Sequence, residues 1–109
     1  MPKGQFLGEF ELLVLAALLR LGAEAYAVTI KKDIEQRAKR PASLGAIHAA
    51  AGRLADKGFV VFHVSDPLPI PGGRARKYVR ITPAGTRALR QSTVAVARMI
   101  EGLELGAKT

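Results

Sequence analysis

Between Gly8 and Leu21 nearly every position is apolar, a run too long for a strand of ordinary length. It predicts a helix buried on most sides, ended by Gly22 as a left-handed cap and needing cover from several elements or from a second subunit. Within residues 26–39, Tyr26, Ile30, Ile34 and Ala38 recur at i, i+4 while Lys31, Lys32, Glu35 and Gln36 fall mostly elsewhere, as in an amphipathic surface helix. Pro41 disfavours helical geometry at Arg40 and marks a break. Ser43 predicts the N-cap of a third helix reaching about Lys57, with Gly58 as its stop. Leu44, Ile47, Ala51 and Leu54 define its inward stripe. Gly45, His48, Ala49, Gly52, Arg53 and Asp56 make an outward face that is small and smooth.

After Gly58 the period changes from 3.6 to 2. "FVVFHVS" reads as a strand, "DPLPIPGG" as a connection too long for a tight turn, and "RARKYVRIT" as the return strand. Arg74, Arg76, Tyr78 and Arg80 fall on one face of that strand, and Ala75, Lys77, Val79 and Ile81 on the other. Thr82 then caps a last helix with Pro83 at its first position, running to about Leu105. Leu89, Val96 and Leu103 recur every seven residues along it, with Met99 and Ile100 between them, a short heptad-like stripe suited to a partner helix.

The order helix, helix, helix, hairpin, helix predicts an α+β, mostly α fold: a winged helix-turn-helix over residues 1–82 and a C-terminal dimerisation helix over 83–109. The basic residues 1–5 read as a loose tail. The dimer face expected from this pattern comprises Leu89, Val96, Met99, Ile100 and Leu103 of the last helix.

Composition narrows the function classes. The 109 residues suit one domain with one modest core, and 49% hydrophobic and 24% charged content is ordinary for a globular chain. There is no cysteine, so disulfides and thiolate metal sites are excluded. No signal peptide is evident, and the run from Phe10 to Leu21, broken by Glu11 and Arg20, is too short to span a bilayer. A cytoplasmic protein without a membrane partner is expected. The net charge is +8, and its placement is one-sided: no acidic residue lies between Asp66 and Glu101, an interval holding Arg74, Arg76, Lys77, Arg80, Arg87, Arg90 and Arg98. Such a field favours a polyanion, with nucleic acid ahead of an acidic membrane.

In a winged helix the third helix enters the major groove and the wing follows the adjacent backbone. Arg74, Arg76, Lys77 and Arg80 are the phosphate candidates on the wing. Ser43 and the amides of Leu44 and Gly45 form a helix N-terminus suited to a further phosphate, with Lys39 and Arg40 just before it. His48 and Arg53 are the base-reading candidates. Tyr78 suits stacking on a base or sugar, or packing against the hairpin. His48 and His63 have no adjacent carboxylate in sequence, and "PGGRAR" lacks the lysine and hydroxyl spacing of a P-loop. No catalysis, cofactor or metal is expected.

These segments resemble one family, the PadR-type winged-helix transcriptional regulators. "LGEFELLVLAALLRLGAEAYAVTI" is similar to that family's first two helices, "SLGAIHAAAGRLADKGFV" to its recognition helix and wing entry, and "GGRARKYVRITPAG" to its wing and the start of its last helix. His48 stands where the family usually has tyrosine, and Ala51 where it has a large aliphatic. The resemblance implies a cytoplasmic repressor, a homodimer held by the last helix together with Phe10 and Leu13 of the first on a roughly palindromic duplex operator, and in some members a small aromatic effector. The short tail resembles the compact branch with one terminal helix. The alternative is a winged-helix interaction module with only non-specific DNA binding and a protein partner.

Overall fold

The long apolar run folds as helix α1 (Glu9–Leu21) in a computed structural model that describes residues 7–67 and 69–106. The basic tail expected over residues 1–5 lies outside the described residues. Val14, Leu15, Ala17 and Leu18 of α1 are buried, whereas Leu19 and Arg20 are exposed, so the helix is covered on one broad side. Its end differs from the expectation. Gly22 takes φ 57° with ψ −124°, outside the left-handed helical region, and its amide bonds the Leu18 carbonyl. A 3₁₀ turn over Gly22–Glu24 follows.

Helix α2 (Ala27–Ala38) starts after Tyr26, whose amide donates to Thr29 Oγ1 at 3.0 Å. Ile30 and Ile34 are buried and Tyr26 is half-buried, but Ala38, at the end of the expected stripe, is exposed. Lys39 takes the left-handed conformation at φ 58° and turns the chain towards Pro41.

Helix α3 (Leu44–Asp56) begins as expected, with Ser43 Oγ accepting from the Ala46 amide at 3.0 Å. Ile47, Ala50, Ala51 and Leu54 are buried. Leu44, expected on this inward stripe, is 42% exposed, because it lies in the first turn and burial along α3 starts only at Ile47.

The hairpin is shorter than its sequence suggests. Strands β1 (Val60–Val64) and β2 (Lys77–Ile81) pair antiparallel, Val60 opposite Ile81 and Val64 opposite Lys77. One further step joins Ser65 to Arg76, through Ser65 N to the Arg76 carbonyl at 2.8 Å and Arg76 N to Ser65 Oγ at 2.9 Å. Arg74 precedes the paired strand, so it is not in register with Tyr78 and Arg80. The base of the wing is pinned to the helices. Val79 N donates to the Ala25 carbonyl at 2.9 Å, and Tyr26 bridges to Tyr78.

Helix α4 (Pro83–Ile100) is capped by Thr82, whose Oγ1 accepts from the Gly85 amide at 3.0 Å and donates to the Gly58 carbonyl at 2.8 Å. Ala88 is buried and Leu89 packs partly against the molecule's own core. From Arg90 to Gly106 every position except half-buried Ser92 is exposed, Met99 reaching 79%. The helix stops at Ile100, ahead of the expected Leu105, so Leu103 lies beyond it and is exposed. Three helices, a two-stranded wing and a C-terminal helix make this a winged helix-turn-helix fold.

Candidate nucleic-acid interface

The outward side of α3 is built from small residues. Gly45, His48, Ala49 and Asp56 are exposed and Gly52 is half-buried. Helical glycine usually reports a backbone need or a tight neighbour, and neither applies here: a Cβ at Gly45 or Gly52 would meet nothing within 4 Å, and neither residue has positive φ. Each glycine costs the helix about 0.5–1 kcal/mol relative to alanine. Gly45→Ala and Gly52→Ala are therefore expected to raise stability by about that amount each, read from urea midpoints. Where a duplex approaches closely, the same substitutions weaken duplex binding.

Acidic residues of α1 enter this region, which spacing alone does not reveal. Arg40 pairs with Glu9 and lies over the Phe10 ring, 5.1 Å from its centroid. Arg53 Nε meets Glu11 Oε2 at 3.0 Å, and Lys57 Nζ meets Glu11 Oε1 at 3.1 Å. Glu11 Oε1 also accepts the Gly8 amide at 3.0 Å, which closes the start of α1. Glu11 is buried, and burial alone opposes its ionisation. The Gly8 amide, Lys57 and Arg53 together outweigh that, so its carboxyl titrates below the ordinary glutamate value.

The pH dependence follows from that direction. A carboxyl that ionises more readily folded than unfolded contributes its full stabilisation above the unfolded value of about 4.3 and loses it as pH falls through the lower folded value. The midpoint for unfolding is expected to drop on acidification from about pH 5 to 3, and Glu11→Gln to flatten part of that slope. Asp33, lowered mainly by its bonds from Arg20, and Glu35, lowered mainly by its bond from Lys31, keep part of the remainder.

Arg40, Ser43 and Arg53 are brought together. They line one groove of about 450 Å³ with Phe10, Ala46 and Ala49, beside the smooth face of α3. Lys39 is exposed at the end of α2 and His48 on the opposite flank of α3.

On the wing, Arg74, Lys77 and Arg80 are exposed. Lys77 Nζ sits 4.0 Å above the Phe62 ring centroid. Arg76 and Tyr78 instead fold back onto the helical body. The Arg76 guanidinium lies 4.5 Å from the Tyr26 ring centroid, and Tyr78 meets Tyr26 edge-on at 5.7 Å and His63 at 6.4 Å. Tyr78 is thus packed between Tyr26 and His63. Sequence reasoning missed Glu9, Glu11 and Tyr26. The acidic interruptions of an otherwise apolar helix were the signal for the first two. Among the described residues no cluster of three or more His, Cys, Asp or Glu side chains stands ready for a metal, and no helix is long and apolar enough to cross a membrane.

No protein-family model matches this sequence, and no curated protein matches it. Solved structures do match. A PadR family transcription regulator from Clostridium difficile superposes with a TM-score of 0.68 at 23% identity, over 86% of this chain and 92% of that one. Bacillus subtilis PadR in complex with operator DNA gives 0.63 at 16% identity, over 87% of this chain and 61% of that one. Bordetella bronchiseptica BpsR, whose DNA binding is regulated by 6-hydroxynicotinic acid, gives 0.62 at 22% identity, over 97% of this chain and 74% of that one. The likeness is one of fold, extending from α1 to α4.

Proposed function

We propose that this chain is a PadR-type transcriptional regulator, a non-enzymatic cytoplasmic protein that binds duplex DNA as a homodimer and represses from a pseudo-palindromic operator. The observation that carries the proposal is the wing. Arg74, Lys77 and Arg80 stand exposed on it, beside a helix whose outer face lets a duplex come close. The operator complex of the Bacillus subtilis PadR supports duplex DNA as the partner. The wing provides affinity through phosphates, and α3 provides what base reading there is, from His48 and Ala49, while Arg53 is engaged by Glu11. Purified protein should select duplex fragments from a genomic pool, with protected half-sites about one helical turn apart. Absence of any duplex binding at low salt would overturn the proposal.

The homodimer reading rests on the outer half of α4, which presents Val96, Met99 and Ile100 to solvent. An isolated helix keeping that face in water gains little, whereas a second copy would bury it. The Phe10 and Leu13 side of α1 is the expected second contribution. Met99→Glu combined with Ile100→Glu is expected to convert dimer to monomer in sedimentation experiments and to weaken operator binding at least tenfold, since two linked half-sites become one. An effector of the small aromatic class is part of the reading, by analogy with the 6-hydroxynicotinic acid response of BpsR.

One observation favours the narrower alternative of a module with only non-specific DNA binding and a protein partner: the outer face of α3 carries few side chains able to reach base edges. Equal affinity for selected and random duplexes would establish it.

A further inference from the structure

Two arginines expected to meet DNA are found paired to carboxylates of the same chain. Arg40 and Arg53 line the groove beside α3, and α1 presents Glu9 to the first and Glu11 to the second. The pairs differ in kind. Glu11 is buried and held additionally by Lys57 and the Gly8 amide, so the Arg53 pair is a fixed part of the α1–α3 contact. Glu9 is 79% exposed in its side chain, and its pair with Arg40 is a surface one. Such a pair is weak and gives way to a stronger anion at little cost.

We propose that Glu9 is an internal competitor for DNA phosphate, holding Arg40 at the groove until a backbone phosphate displaces the carboxylate. The proposal rests on the DNA-binding reading above. Three features carry it. Arg40 stands three residues before Ser43, the N-cap of α3, on the flank of the face that would meet the duplex. Its guanidinium is stacked on the Phe10 ring, which keeps it in place when its anionic partner changes. A guanidinium donates to a carboxylate or a phosphate oxygen in the same planar geometry, so the exchange needs no rearrangement of the arginine. Glu9 thereby lowers affinity for every duplex alike and leaves the ratio of operator to random binding unchanged. Arg53 stays with Glu11 and serves to position α3.

The test is a double-mutant cycle in duplex binding at low salt, on wild type, Glu9→Gln, Arg40→Ala and the pair, with Glu104→Gln as a remote control of equal charge change. Glu9 is exposed, so the variant is expected to fold. Glu9→Gln should tighten binding about 3- to 10-fold for operator and random duplex alike, well beyond the control, and this gain should vanish when Arg40 is alanine. A Glu9→Gln effect no larger than that of Glu104→Gln overturns the proposal, as does an equal gain with and without Arg40. Wild-type protein that binds duplex with the expected salt dependence while Glu9→Gln changes nothing removes the competitor alone. Wild-type protein that binds no duplex removes the DNA-binding reading with it.

Discussion

Replacing Gly85 with alanine is expected to be severely destabilising. A Cβ there would stand 2.2 Å from the Phe59 carbonyl oxygen and 2.8 Å from Ile81 Cγ1. The first of these is backbone, so no rotamer change relieves it. The Phe59 carbonyl is also fixed by its bond from the Thr82 amide at 3.0 Å, which ties the start of the wing to the start of α4. The added methyl must push α4 off the wing base, breaking the Thr82 cap or the packing of Ala88. Overpacking of this kind costs about 1–3 kcal/mol where side chains can yield, and more where they cannot. A loss of about 3 kcal/mol or more is expected, a large share of the stability of a 109-residue domain. Urea unfolding of Gly85→Ala beside Gly52→Ala checks it: the first midpoint falls steeply and the second rises. A Gly85→Ala protein with a wild-type midpoint would mean that α4 is seated elsewhere.

That contrast shows what sequence can and cannot reveal. Helix positions followed from local rules. Ser43 and Thr82 cap as their side chains require, Pro83 opens α4, and the change of period after Gly58 marks the wing. Gly85 carries no such sign, because its need is a close approach to Phe59, 26 residues earlier. The arginines behave likewise. Arg40 and Arg53 looked free because helix spacing speaks only to neighbours three or four residues away. Their partners, Glu9 and Glu11, lie 31 and 42 residues distant. Alternation placed Arg76 and Tyr78 on one face of β2, as found, but could not show that Tyr26 occupies that face. The end of the last helix was overestimated because Leu103 continued the heptad spacing, while the chain turns at Glu101 and Gly102, the latter at φ 81°. Local chemistry was legible; contacts made by folding were not.

Exposure divides the wing's cations into two groups with opposite expected behaviour, Lys77 staying exposed although its ammonium lies over the Phe62 ring. Arg74, Lys77 and Arg80 are exposed, and their joint replacement by alanine should lower duplex affinity roughly 10²- to 10³-fold at about 0.1 M salt. The loss should be the same for operator and random duplex, because phosphate contacts carry no sequence information. Each contact removed lowers the slope of log affinity against log salt by about 0.9, so the triple variant should lose about 2.7 of it. Arg76 belongs to the other group. Its guanidinium covers Tyr26, against which Tyr78 is packed edge-on, so Arg76→Ala should lower stability slightly through the lost cation–π contact while leaving most of the salt slope in place. Titrations of both variants over a series of salt concentrations, with unfolding measured in parallel, separate the two effects. If Arg76→Ala removes as much slope as Arg74→Ala, then Arg76 leaves Tyr26 on binding and the wing's phosphate contacts extend to the ring at its base. If the triple variant keeps the wild-type slope, the wing does not meet phosphate, and the acid-free run from Arg74 onward serves another partner.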